Sequence, residues 1–161
     1  MPRPRNERIV YEPPLFTEFK PVGVLGRDLE RIPLSLDEYE AFRLADLLGL
    51  SHEEASEEME ISRSTFTRMI EDARKKIARM IVEGKRLVID GGKVHFRRNI
   101  IRCMACGHMF KIEMQADLTE CPQCHSTDLI SLAGGFGHGH CCRYRRNNQK
   151  NHKNGGSYAT R

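Results

Sequence analysis

No stretch of this 161-residue chain approaches the roughly 18 consecutive apolar residues that a membrane-spanning helix needs. The start, Met1-Pro2-Arg3-Pro4-Arg5, has no apolar core of a secretory signal, so the expected location is the cytoplasm. A glycine-rich phosphate loop, a nucleophile beside a base and a βαβ pattern are also missing, and with them the usual grounds for an enzyme. No internal repeat of solenoid length is apparent. With 39% hydrophobic and 30% charged residues, the chain has room for one modest domain and a second small one. Its formal net charge of +4 is mild, but the charge is unevenly distributed, which favours an anionic partner on one face.

The stretch from Ser35 to Gly84 reads as three helices. Ser35 with Glu38 can form a capping box, Leu36, Phe42, Leu44, Leu47 and Leu48 recur near helical spacing, and Gly49 supplies a left-handed stop. Ser51 and Glu54 form a second box, with Ala55 and Met59 four apart on one face. After Ile61, Ser62 caps a long third helix, and Phe66, Met69, Ile70, Ala73, Ile77, Met80 and Ile81 form its inward stripe up to Gly84. A very short turn joins the last two helices, as in a DNA-reading helix-turn-helix. Glu60 stands where that turn usually takes glycine with a positive φ.

Burying the stripe leaves Ser62, Arg63, Ser64, Thr67, Arg68 and Glu71 on the outer face, with Arg74 and Lys75 continuing the basic surface. Arginines there can pair bidentately with guanine or clamp phosphate, and the short hydroxyl side chains allow close approach. From Asp37 to Glu60 nine acidic residues stand against Arg43 alone, whereas Ser62 to Arg86 holds eight basic and three acidic. One side of such a unit repels DNA and the other attracts it. The competing reading is a small helical bundle with one solvated acidic and one solvated basic helix.

Residues 1–33 carry five prolines in the first 21 positions and read as an extended arm with a basic tip at Arg3, Arg5 and Arg8. Such a tip can enter a minor groove; a solvated, disordered start is the alternative. Phe16, Phe19, Val22, Val24 and Leu25 are expected to cover the helical core. Beyond Gly84, Arg86-Leu87-Val88-Ile89 and Lys93-Val94-His95-Phe96 flank Asp90-Gly91-Gly92, a hairpin signature.

Cys103, Cys106, Cys121 and Cys124 form two C-x2-C pairs separated by fourteen residues. Two such knuckles complete a tetrahedral four-cysteine zinc site, with strands around Phe110-Lys111-Ile112 and Leu129-Ile130-Ser131-Leu132 making a ribbon. Four thiolates leave no open position, so the expected zinc is structural, one per chain. A dithiol redox pair is the rival for either knuckle alone. Downstream, His138, His140, Cys141 and Cys142 place four soft ligands in five positions of a glycine-rich stretch. They suit a second metal or a redox clip, or else an incidental linker, and adjacent cysteines need further ligands from elsewhere. Residues 143–161 hold six basic and no acidic residues and read as a disordered tail attracted to nucleic acid.

The first 92 or so positions resemble a family of small prokaryotic predicted DNA-binding proteins whose helix-turn-helix is similar to region 4 of sigma factors. The resemblance rests on Met1-Pro2-Arg3-Pro4-Arg5, Phe19-Lys20-Pro21 with Gly23, Asp37-Glu38, Glu40-Ala41, and Arg43-Leu44-Ala45-Asp46. It continues through Glu54-Ala55, Met59, Ile61-Ser62-Arg63, Thr65-Phe66, Arg68, Ala73-Arg74, Lys76, Gly84-Lys85 and Gly91-Gly92. Ser56, Glu60 and Asn6-Glu7 depart from it. It implies a mainly α, three-helix, sigma region-4-like or winged-helix-like domain over 34–98 with a trailing hairpin, following the arm at 1–33. A zinc ribbon at 99–133 and a flexible tail at 134–161 lie outside it.

The expectation is therefore a non-enzymatic, sequence-specific transcriptional regulator that binds double-stranded DNA through helix 62–82, with a homodimer as one way to gain affinity. The alternative is a zinc-ribbon adaptor for RNA polymerase or another protein. A thiol oxidoreductase or metal carrier built on Cys141, Cys142 and their histidines is the third.

Overall fold

Two serine and glutamate pairs set the first helices. A computed structural model of the chain describes residues 7–138 together with Cys141 and Cys142, and divides it into one unit up to Val94 and another from His95 onward. In the first unit α1, Leu36–Phe42, begins where Ser35 N–H donates to the Glu38 carboxylate at 3.0 Å. It runs into a π-helical stretch, Arg43–Leu47, in which Leu48 N–H reaches back to the Arg43 carbonyl at 3.0 Å. The wider turn buries Leu44 but leaves Leu47 and Leu48 exposed, so these two leave the apolar face that helical spacing alone assigns them.

Helix α2, His52–Glu58, opens on a reciprocal box: Ser51 N–H donates to Glu54 Oε2 at 2.8 Å and Glu54 N–H to Ser51 Oγ at 3.2 Å. Its end is a complete Schellman closure. Glu60 N–H donates to the Glu57 carbonyl at 3.1 Å and Ile61 N–H to the Ser56 carbonyl at 3.0 Å, with Glu60 at φ 55°. A side chain in that left-handed well carries a steric cost that glycine avoids. Glu60→Gly is expected to raise stability by about 0.5–1 kcal/mol, read as a shift of the urea midpoint at unchanged slope.

Helix α3, Arg63–Glu83, starts on Ser62, whose Oγ accepts Thr65 N–H at 3.2 Å, and stops at Gly84 with φ 65°. Phe66, Ile70 and Ala73 are wholly buried and Met69 nearly so, packed with Ala41, Leu44, Ala55 and Met59. The stripe is shorter than its periodicity suggests: Ile77 and Met80 are half-buried, and Ile81, at the stripe's edge, is 70% exposed. Seven-residue α1 and α2 can cover only the front of a 21-residue helix.

One charged pair sits inside this packing. Glu40, 2% exposed, accepts two hydrogen bonds from Arg43, each of 2.8 Å, and the Tyr11 backbone N–H at 3.1 Å. Burial still pushes its pKa above the usual carboxylate value, against the pull of Arg43. Arg43→Met is expected to cost about 2–3 kcal/mol at neutral pH, because a buried carboxylate loses its partner. The sign in pH follows from the raised folded-state pKa: the penalty is full above that pKa and shrinks as acid neutralises Glu40. Denaturant melts at neutral and mildly acidic pH measure both.

The remaining strands of this unit correct two expectations. Strand β4, Arg86–Ile89, lies between β2, Glu18–Phe19, and β3, Arg31–Leu34, antiparallel to the first and parallel to the second. Both of its edges are taken, so the expected hairpin of residues 86–96 does not form. Asp90-Gly91-Gly92 instead passes over the start of α1: the Gly91 carbonyl accepts Leu36 N–H at 3.0 Å. At Gly92, with φ 100°, a Cβ would stand 3.2 Å from Asp37 Oδ1.

Phe16, Phe19, Val22, Val24 and Leu25 do not cover the helices; their exposures run from 36% to 100%. That task falls to β1, Arg8–Val10, where Ile9 N–H bonds the Met59 carbonyl at 3.2 Å and Val10 is fully buried. Strand β2 is an edge strand with both residues exposed, which is why its phenylalanine stays outside.

Strand β5, Val94–Phe96, carries the chain from the first unit into the second. There β6, Arg98–Cys103, is central, flanked antiparallel by β7, Met109–Glu113, and β8, Leu129–Ser131. Ile101 faces Phe110 on one side and Ser131 on the other, and Arg98 pairs with Glu113 at 3.0 Å. Helix α4, Leu132–Gly135, follows β8 directly. No helix among the described residues is long and apolar enough to cross a membrane.

Candidate metal centre and basic helix

The four cysteines are brought together by two knuckles built on one backbone plan. Cys103 N–H donates to the His108 carbonyl at 2.9 Å, and Gly107 N–H returns to the Cys103 carbonyl at 2.9 Å. The second knuckle repeats this with Cys121 N–H to Ser126 at 2.8 Å and His125 N–H to Cys121 at 2.9 Å. Each needs a left-handed residue after its second cysteine, Gly107 at φ 76° and His125 at φ 58°. In each pair the first cysteine is buried and the second exposed.

The four Sγ atoms lie within 4.8 Å of one another, with Cys103 to Cys124 at 3.5 Å and Cys106 to Cys121 at 3.8 Å. Tetrahedral ligation with bonds of about 2.3 Å requires sulfurs about 3.8 Å apart, close to both of those distances, so the set could hold a metal ion. Backbone donors and neighbouring thiols divide the protons unevenly: the Ser126 N–H pulls Cys124 down, but the sulfurs of Cys103, Cys106 and Cys121 push it up to about 12. The Cys106 N–H holds the Cys103 thiol down to about 7, and the Gln123 N–H points at Cys121 Sγ at 3.4 Å. Strand β6, which delivers Cys103, has no clean alternation in sequence and is absent from the sequence-based ribbon.

On α3, Ser64, Arg68, Glu71 and Lys75 form an exposed stripe opposite Phe66, Ile70 and Ala73, and Ser62 and Arg63 are exposed at its start. The other expected contacts are engaged internally. Thr67 is half-buried; its hydroxyl donates to the Arg63 carbonyl at 3.0 Å and lies 3.0 Å from His52 Nδ1. Arg74 forms two bonds to Asp46, of 3.0 and 2.8 Å, which raise its pKa further. Lys76 is held by Glu38, and Arg79 and Lys85 by Glu30 and Glu83. Among the described residues, Arg63, Arg68 and Lys75 are therefore the α3 cations left without an acidic partner.

Arg8 is committed too, to an ion pair with buried Asp37, and so is not part of a basic tip. Arg3, Arg5, His140 and the basic tail lie outside the described residues. His138, Cys141 and Cys142 do converge, and the fourth member of their cluster is His95, which sequence reading missed. It stands 43 positions before His138, so no local spacing marks it.

Two units with, among the described residues, four α-helices and small sheets, and a four-cysteine cluster that could hold a metal ion, define the class of protein. Residues 1–97 match the family described as "Protein of unknown function DUF134", and the chain belongs to that family. A UPF0251 protein of Chloroherpeton thalassium is 48% identical over 132 residues, 82% of this chain and 87% of its own. Another from Caldicellulosiruptor bescii is 40% identical over 146 residues, 91% and 99% of the two chains. A third, from Moorella thermoacetica, is 40% identical over 152 residues, 94% and 100%, so the likeness continues into the cysteine-bearing unit. No solved structure matches the chain.

Proposed function

We propose that the protein is a sequence-specific DNA-binding transcriptional regulator, in which α2, its turn and α3 act as a helix-turn-helix. The exposed N-terminal half of α3 would enter the major groove, with Arg63, Arg68 and Ser64 at base edges and Lys75 on phosphate. One observation carries this reading most: the cations at the back of α3 are neutralised by Asp46, Glu38, Glu30 and Glu83, while Arg63, Arg68 and Lys75 are not. That partition concentrates positive potential on the outer stripe. Thr67 then serves as a strut between α2 and α3 and contributes indirectly, by fixing the helix's pitch.

The four-cysteine cluster is read as one structural zinc, which would supply the cross-link for a unit too small to fold on apolar burial. Four thiolates fill the coordination sphere, so the reading is of a binding protein and not an enzyme. A homodimer on two half-sites would raise affinity.

Selection from a random duplex pool at near-physiological salt tests the reading. The expected result is enrichment of one motif, palindromic if the protein dimerises. Binding that is weak, confined to low salt and without a motif would overturn it and favour the adaptor role, with RNA polymerase or another protein as partner.

A further inference from the structure

His95, Phe96, His138, Cys141 and Cys142 converge just outside the ribbon. His95 is 8% exposed on β5. The segment that meets it is fixed from below: buried Asn99 accepts Ala133 N–H at 3.0 Å and donates to Ser131 Oγ at 2.8 Å, which anchors the start of α4. The chain then turns through Gly137 at φ 78°, where His138 N–H returns to the Ala133 carbonyl at 3.0 Å. The His138 ring stands edge-on to Phe96, centroids 5.2 Å apart at 87°. Cys142, 2% exposed, accepts the Phe96 backbone N–H on its sulfur at 3.3 Å.

Four ligand atoms, one from each of His95, His138, Cys141 and Cys142, lie within 4.8 Å of one another. Cys142 Sγ is 3.5 Å from His95 Nδ1 and 3.7 Å from His138 Nδ1; Cys141 Sγ is 3.3 Å from His138 Nδ1 and 3.7 Å from Cys142 Sγ. A tetrahedral ion with metal–sulfur bonds of about 2.3 Å and metal–nitrogen bonds of about 2.05 Å imposes edges of about 3.8 Å between sulfurs and about 3.5 Å between sulfur and nitrogen. The observed edges lie close to those values. Both cysteines are free thiols.

We infer that His95, His138, Cys141 and Cys142 form a second, closed zinc site, separate from the four-cysteine cluster. Its chemistry suits burial. Zinc displaces one proton from each thiol, and two thiolates with two neutral imidazoles balance the ion's charge, whereas the four-thiolate site keeps a net negative charge. Borderline nitrogen and sulfur donors in a tetrahedron select zinc over the hard cations. In the chain the two ligand groups bracket the ribbon, His95 before β6 and the other three after α4. The ion is thus a staple that ties the ribbon's exit back to its entry.

Metal content of the full chain decides the matter. Protein depleted of metal under reducing conditions, reloaded with zinc and dialysed is expected to retain about two ions, and His138→Ala with Cys141→Ser about one. Cys141 is exposed and His138 partly so, which spares the core. Cobalt provides the second readout: thiolate-to-cobalt absorption should fall by about a third in that variant, from six ligating thiolates to four. His95→Ala should act the same way. A native chain that holds one ion, a variant that still holds two, or loss of both ions from the double variant would each overturn the second site.

Discussion

Replacing Arg63 and Arg68 together by alanine is expected to weaken binding to the selected duplex by about 2–6 kcal/mol, roughly 30- to 20,000-fold, with the helices intact. The range follows from two arginine-to-base pairs at about 1–3 kcal/mol each. Both side chains are exposed, and neither supports the packing of Phe66, Ile70 and Ala73. Salt dependence separates base readers from phosphate clamps. Each lost phosphate contact lowers the slope of log affinity against log salt by about 0.9, whereas a lost base contact leaves it unchanged and flattens preference among sequences. Arg74→Ala is the internal comparison, because Asp46 already holds that guanidinium. Fluorescence anisotropy at several salt concentrations reads the native chain and both variants. Equal affinity of native and double-variant protein for the selected duplex would remove α3 from the interface.

Withdrawal of metal is the second large effect. A chelator strong enough to strip both clusters is expected to melt β6, β7 and β8 while α1, α2 and α3 keep their amide protection. Structural zinc contributes about 10–16 kcal/mol of apparent binding free energy in small domains, more than a three-stranded sheet of this size can supply by burial. Cys103 and Cys121 are wholly buried, so ion removal leaves two sulfurs without a ligand inside the unit and one knuckle held left-handed at a non-glycine residue, His125. Cys121→Ser should reproduce the loss without chelator. Hydrogen exchange resolved by residue measures it. Collapse of helical protection along with the ribbon would mean that the two units do not unfold independently.

What could be read in advance was local. The caps at Ser35, Ser51 and Ser62, the stops at Gly49 and Gly84, the left-handed Glu60 and both cysteine knuckles depend on neighbours three to six positions away, and those distances are visible in a linear sequence. The misplaced features depend on partners far along the chain. Strand β4 resembles half of a hairpin because its true neighbours, β2 and β3, lie more than fifty residues upstream. Phe19 and Leu25 resemble core residues because composition does not say which segment of the arm reaches Met59. Ile81 continues a periodic stripe past the end of its cover, and only helix lengths reveal where cover stops. His95 had no signal of its own: an isolated histidine in an apolar strand reads as packing until the distant His138, Cys141 and Cys142 are brought beside it.

The central place of β4 sets an order of events during synthesis. Residues 18–19 and 31–34 emerge early, yet the strand that joins them is not made until residue 89. By then the three helices between are complete and can pair through short-range contacts, which form fastest. The arm's two strands must therefore wait with unpaired backbone, and the last strand of this sheet to leave the ribosome locks the first ones in place.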